Sequence, residues 1–366
     1  IELLKYGEIS FAYQSFKWGN SAANNAGVTV TIIGFSNKNE NSKVLYINDV
    51  ASYGTNINPY LTFGDNVIVA NSNRNLAELP QMVMGNMPRS KHLIFNREDK
   101  DALVEKYPET ERYFKKYVGA EGYIKGENRY TRWLEEEDYL SLRMIPDFDE
   151  IFKNVSAERS GKNSAESTRE YAKKPWWFVQ RGEWDSANSL GKIKGKQALI
   201  VPIHTSENRD YTPMGFVGDD TIITNAAMVI YDAPTWLLGV LVSRMHMTWL
   251  RTIGGKLKTD YRYSIGMVYN TFPLPKLSTN CKNILEEAVL EMLDVREEEG
   301  GTLAELYGGA NKPMNARLRE AHEKIDGIVE RAYKQEPFKS DEERLSVLLK
   351  LYQELVVEEK KCIKYF

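Results

Sequence analysis

Eight consecutive positions, Val28-Thr29-Val30-Thr31-Ile32-Ile33-Gly34-Phe35, hold only apolar or β-branched residues and one glycine. The run presents no polar face at helical spacing, and branching at Cβ favours the pleated surface of a strand. It predicts a strand buried on both faces, at the edge of a larger sheet. Ile9-Ser10-Phe11-Ala12-Tyr13 is a second β-rich run, separated from the first by a polar loop rich in Asn and Ala. Further strands are predicted at 44–48 and 66–70, with turn-rich sequence between them that contains Asn58-Pro59-Tyr60.

Helical spacing begins later. The stretch 99–117 can place Leu103, Tyr107, Tyr113 and Phe114 on one side, and the polar stretch 151–174 reads as an exposed helix or helical linker. A β-dominated region follows over 177–230, with 198–203 and 221–223 as strand candidates. Then comes one helix over 235–252 with Leu238, Val242, Met245 and Trp249 toward a core. Arg244 and Arg251, seven apart, fall on the same face of it. Pro273 and Pro275 end regular structure. Beyond Leu277 strong helix formers, i to i+4 Glu/Lys or Glu/Arg spacings and the breaks Gly300-Gly301 and Gly308-Gly309 predict a three- or four-helix bundle. With 366 residues, two or three domains are expected. The fold class is α+β (mixed α/β): a β-rich part with helices, then a helical C-terminal bundle.

The formal charge of −3 argues against a nucleic-acid partner until it is split by region. From 277 to the end there are 14 Lys plus Arg against 19 Asp plus Glu, whereas from 158 to 276 there are 16 against 11. An acidic tail hides a basic middle, and a local patch is the footprint that matters for DNA. Two cysteines, Cys281 and Cys362, and four scattered histidines show none of the short paired spacings of zinc sites. A reduced cytoplasmic setting is expected. The longest apolar run, near 236–242, is far too short to span a bilayer, so no membrane partner is expected. The chain opens at Ile1 inside strand-like sequence, which predicts a fragment of something longer.

The stretch Gly254-Gly255-Lys256-Leu257-Lys258-Thr259-Asp260-Tyr261-Arg262-Tyr263-Ser264 alternates in character. If it is extended, Lys256, Lys258, Asp260, Arg262 and Ser264 line one face, and Leu257, Thr259, Tyr261 and Tyr263 the other. Lys donates to guanine O6 and N7 and Asp accepts from cytosine N4, so a Lys and an Asp two apart can read one G·C pair. The alternative is a solvated hairpin face with cross-strand ion pairs. Other features carry two readings as well. Trp176, Trp177 and Trp184 around Gln180-Arg181 suit base stacking or core packing. Lys192, Lys194 and Lys196 suit a phosphate-contacting loop or a solvated turn. Asn225, at a strand end, suits adenine readout or a turn. Asn56-Ile57-Asn58-Pro59-Tyr60-Leu61 invites comparison with the Asn-Pro-Pro-aromatic motif of amino methyltransferases, but the second proline is missing and a structural turn is expected. No glycine loop for S-adenosylmethionine, nuclease centre or nucleophile triad stands out.

Taken together, Val201-Pro202, Ser206-Glu207-Asn208-Arg209, Pro213-Met214-Gly215-Phe216, Ile223-Thr224-Asn225, Met245-His246-Met247-Thr248-Trp249, the 255–264 segment and Tyr269-Asn270-Thr271-Phe272-Pro273 resemble the target recognition domain of the MmeI-like family. These are single-chain type II restriction-modification enzymes that combine an adenine methyltransferase with a nuclease. Phe16-Lys17-Trp18 and 28–35 resemble that family's last methyltransferase strands. Leu306-Tyr307, Ala321-His322, Asp326, Ala332-Tyr333 and Arg344 resemble its C-terminal helical region. The resemblance implies 1–36 as the end of a truncated methyltransferase domain, 37–276 as target recognition and 277–366 as a C-terminal helical domain. It implies double-stranded DNA as partner, alongside the N-terminal methyltransferase and nuclease domains of the same chain. S-adenosylmethionine and Mg belong to the parent enzyme, with no cofactor in this piece. By the family's pattern Lys258 and Asp260 read one base pair, with weaker transfer of readout to Ile203, His204, Asn225 and Ala226. Arg251, Lys256, Arg262, Arg244 and Lys194 are the candidates for backbone contact. The rival class is a protein-interaction scaffold that uses the acidic bundle.

Overall fold

The computed structural model describes residues 2–18, 28–38, 41–47, 49–182 and 197–363. These fall into two compact units. One gathers Ile1–Leu79, Arg244–Cys281 and Asp326–Phe366, the other Pro80–Ser243 and Lys282–Ile325. Helix and sheet are mixed, as the alternation of β-branched runs and helical spacing predicts.

In the first unit Glu8–Trp18 runs antiparallel to Val28–Ser36 and parallel to Lys43–Ile47, which turns back as Val50–Gly54. Val28–Ser36 is outermost in this sheet. Its burial departs from expectation, because the neighbours Ile32 and Ile33, which point to opposite faces, are 42% and 52% exposed. The core gathers instead on Ile9, Ala12, Leu45 and Ile57, with Leu61 and Phe63 packed against them. The 66–70 stretch is irregular rather than a strand. Its backbone donors find side chains: Val69 N–H donates to the Tyr60 hydroxyl at 2.8 Å and Ala70 N–H to the Tyr352 hydroxyl at 3.2 Å.

The single helix expected over 235–252 is two, Thr235–Val242 and Arg244–Ile253, parted at Ser243 where ψ is 158°. The carboxylate of Asp326 accepts the backbone N–H of Arg244 at 2.6 Å and gives the second helix an anionic start. Arg244 and Arg251 both lie on this second helix.

The second unit is built on a sheet in the order Gly215–Gly218, Gln197–Pro202, Ala227–Tyr231, Val83–Met84. A smaller sheet sets Phe114–Val118 between Thr221–Ile223, parallel, and Arg129–Arg132, antiparallel. The helix expected over 99–117 therefore stops early. Arg97–Lys106 is helical, Pro108 opens a 3-10 turn over Pro108–Tyr113, and the β-prone Phe114–Val118 pairs into the sheet. The 151–174 stretch is not an exposed linker either. Pro146–Ser160 is a helix that buries Phe148, Phe152, Val155 and Arg159. The Arg159 guanidinium donates to four carbonyls, those of Pro88, Tyr171, Lys174 and Trp177, at 2.5 to 3.0 Å. Burial lowers its pKa to about 10, which leaves it charged at neutral pH.

Beyond 277 the helices are Thr279–Glu299, Leu303–Leu306, Ala316–Arg331 and Asp341–Ile363, shared between the two units. In the second unit they close on a buried polar chain. Arg296 donates to the Met214 carbonyl at 2.7 Å and to the Tyr307 hydroxyl, which meets His322 Nε2 at 2.8 Å while the Tyr211 ring stacks on the imidazole. Burial, reinforced by the Arg296 charge, pushes His322 well below the usual imidazole range. The native fold thus holds His322 neutral, whereas the unfolded chain takes up a proton near pH 6.5. Stability is present in full above that pH and is lost as pH falls toward the folded-state pKa, at up to about 1.4 kcal/mol per pH unit. Urea unfolding at pH 7 and pH 5 should show this loss, and His322→Gln should shrink it; an equal loss in the variant would assign it to other groups.

Candidate nucleic-acid interface

The alternating segment is a hairpin, not one extended strand. Gly255–Leu257 and Asp260–Arg262 pair antiparallel, with Gly255 opposite Arg262, Lys256 opposite Tyr261 and Leu257 opposite Asp260. Directly opposed side chains share a face. Lys256 therefore joins Tyr261, its Nζ 5.5 Å from the ring centroid, and leaves the face that carries Leu257, Asp260 and Arg262. The predicted row of ions is split accordingly. Lys258 and Thr259 make a two-residue turn with Lys258 at φ 58°, a left-handed conformation uncommon for a residue with a side chain. Tight hairpins favour positive φ in the turn because it matches strand twist, and the usual signal is Asn-Gly or Asp-Gly. Leu-Lys-Thr-Asp carries no such signal, which is why the sequence reads as continuous. Lys256, Lys258 and Arg262 are exposed and Asp260 is half-buried.

The hairpin is fixed at its base. A Cβ on Gly254 would sit 2.4 Å from the Leu250 carbonyl oxygen, so only glycine lets the chain leave the helix at this angle. Tyr263 is buried and its hydroxyl meets His246 Nε2 at 3.0 Å. Burial pushes that phenol up, away from ionisation. Below it lie Trp249, whose Nε1 donates to Thr271 Oγ1 at 3.3 Å, and Phe272, packed edge-on against His246.

Arg244 and Arg251 are not solitary charges. Asp341, far along the chain and without a spacing signal in the sequence, takes Arg244 Nε at 2.8 Å, Arg344 Nη1 at 3.2 Å and Arg251 Nη1 at 3.6 Å. Arg251, Lys256, Thr248, Thr252, Gln14 and Asp341 are among the residues lining a polar cavity of about 350 Å³.

The remaining candidates lie in the second unit. Ala227 pairs with Pro202, so Asn225-Ala226 and Ile203-His204 emerge at one end of the same antiparallel strand pair. The structure thus joins two positions that the sequence treats separately. His204 and Ala226 are exposed, Ile203 and Asn225 half-buried. Backbone bonds hold the turn: Asn225 N–H donates to the Asn86 carbonyl at 2.9 Å and Ala226 N–H to Thr224 Oγ1 at 3.1 Å. Lys194, with Lys192, Lys196 and Trp184, lies outside the described residues. Trp176 is buried and stacked on Tyr139 at 4.0 Å, and Arg181 sits between the rings of Trp133 and Trp177, so Trp176 and Trp177 follow the core-packing reading. Asn58 is likewise spent on structure. Its side-chain oxygen accepts from Tyr60 and Thr62 N–H, and its Nδ2 donates to Thr62 Oγ1 at 2.8 Å. Among the described residues no group of three His, Cys, Asp or Glu is placed to hold a metal ion, and no helix is long and apolar enough to cross a membrane.

Comparison with known proteins places most of the chain in one context. The MmeI target recognition domain matches residues 63–276, the MmeI C-terminal domain 278–358 and the MmeI DNA-methyltransferase domain 2–47. DNA methyltransferase A of Bacillus subtilis (strain 168) is 47% identical over 357 residues, which are 97% of this chain and 39% of that protein. A solved structure of the Type IIL restriction-modification enzyme MmeI in complex with DNA superposes with a TM-score of 0.82 at 32% identity, covering 97% of this chain and 47% of that one. The chain therefore spans less than half the length of either relative.

Gly254→Ala should leave the cores intact and displace the hairpin base. The expected outcome is a drop in unfolding free energy of about 1 to 3 kcal/mol, the scale of a strained close contact. An unchanged denaturation midpoint would show that Leu250 yields without cost.

Proposed function

Since the chain belongs to the MmeI family of restriction-modification enzymes, we propose that it recognises a specific sequence in duplex DNA on behalf of a longer enzyme that methylates adenine and carries a nuclease. The observation that supports this best is the 255–262 hairpin, within the stretch matched by the target recognition domain. It lifts an exposed ammonium, Lys258, to its tip and keeps a carboxylate, Asp260, at the start of its second strand. A two-stranded ribbon of this kind fits the major groove, where Lys258 donates to guanine and Asp260 accepts from cytosine of one pair. Asn225, Ala226, Ile203 and His204 form a second readout cluster, with an amide suited to adenine N6 and N7. Arg251, Lys256 and Arg262 contact phosphates and set register, with Arg244 and Lys194 assisting.

Asp341 has a part in this. By holding Arg244 and Arg251 it fixes where they point and lowers their net charge, so that attraction to any DNA is moderated relative to the chosen site. The scaffold reading draws less support, because several of the acids on these helices are paired within them. Glu298 and Glu299 pair with Arg317, Glu291 with Lys324, Glu330 with Arg344 and Glu343 with Lys334. Catalysis is assigned to the rest of the parent enzyme, where S-adenosylmethionine and magnesium would act. In this chain the Asn58 carboxamide, which would have to be free to grip an amino group, is tied into its own turn.

Replacing Lys258 with Glu and Asp260 with Lys together, in the full-length enzyme, should change preference at one base pair and leave the others alone. The change should be about 1 to 3 kcal/mol of discrimination, read by mapping methylated sites. An unaltered site would remove Lys258 and Asp260 from base readout. Arg251→Ala should act differently, weakening all sequences alike and reducing the slope of log affinity against log salt by about 0.9. A loss confined to the chosen site would reassign Arg251 to readout.

A further inference from the structure

Leu257 is 55% exposed on a hairpin whose other exposed side chains are cationic. Pairing places it directly opposite Asp260, on the same face and next to the turn that carries Lys258. A large aliphatic side chain that leaves more than half of its surface in water beside a proposed base reader is positioned for whatever that reader touches. We propose that Leu257 is a further specificity residue that packs on a methyl group at pyrimidine C5 in the major groove. This rests on the hairpin reading of the preceding subsection. Asp260 is suited to cytosine N4, and the ring carbon beside the one bearing N4 is C5, the carbon that carries the thymine methyl. Cross-strand partners have Cβ atoms about 4.5 to 5.5 Å apart, and successive bases of a strand rise about 3.4 Å. With Asp260 on one pyrimidine edge, the Leu257 methyls therefore fall on the C5 edge of that base or of its stacked neighbour. Apolar contact is how proteins distinguish thymine there. Lys258 and Asp260 supply the donor and the acceptor, and Leu257 adds an apolar reader to the set.

The test uses the full-length enzyme and duplexes carrying its methylation site. Deoxyuridine replaces each thymine in turn, deleting only the C5 methyl, and in a second series 5-methylcytosine replaces each cytosine. Affinity is measured for the wild type, Leu257→Ala and Leu257→Met. Binding should fall about fourfold, the scale of one buried methyl group, when uracil replaces the thymine adjoining the pair moved by the Lys258 and Asp260 exchange. A comparable gain on methylating the cytosine of the read pair would place the contact on that base instead. Either effect should vanish in Leu257→Ala and survive in Leu257→Met. Methyl dependence at neither position, or the same dependence in Leu257→Ala, would overturn the inference. The two readings fail separately: an inert Lys258 and Asp260 exchange beside a methyl effect that Leu257 controls would sink the G·C assignment and leave this one standing.

Discussion

The hydrogen bond from the Arg244 backbone N–H to the Asp326 carboxylate sets where one helix ends and another begins. It meets the chain where Ser243, at ψ 158°, parts Thr235–Val242 from Arg244–Ile253. The break at Ser243 lets the segment after it form a short helix with its own buried side, from Met245 through Ile253. That helix provides the floor for the hairpin. His246 receives Tyr263, Leu250 meets Gly254, and Trp249 reaches Thr271. A bond between backbone and a distant side chain thus caps the helix from which the charged ribbon departs.

Much of this was legible in the residues. The β-branched runs at 28–35, 198–203 and 221–223 became strands, and the glycine-punctuated tail became helices. The ordered motifs resembled the MmeI-like family, and the matches over 2–47, 63–276 and 278–358 agree. What was not legible has physical causes. Burial of 28–35 depends on which layers cover a sheet, and composition cannot supply that. The 99–117 pattern satisfied helical spacing until Pro108 and strand pairing at Phe114–Val118 overruled it. The turn at Lys258 escaped because its positive φ sits on a lysine. Asp341 escaped because an ion pair between distant segments leaves no local trace.

The basic groups of the candidate site do not all stand alone. Most basic groups considered for DNA contact are exposed or partly exposed, but two of the arginines share a carboxylate rather than standing alone. Exposed ion pairs of this type contribute little to stability. Their value lies in direction, because a side chain tethered at its end has fewer orientations to lose when it meets a partner.

The register of the 255–262 hairpin has an evolutionary consequence. The backbone bonds that close it, and the glycine and tyrosine that anchor it, involve none of the side chains at 256, 258, 260 and 262. Substitution at these positions leaves that backbone ladder and its anchors in place, within the limit that position 258 tolerates a positive φ. A single inserted or deleted residue within a strand would exchange the two faces and carry its side chains to the opposite side. Variation along this ribbon should therefore accumulate through point substitution at constant length, with the paired backbone as an inherited frame.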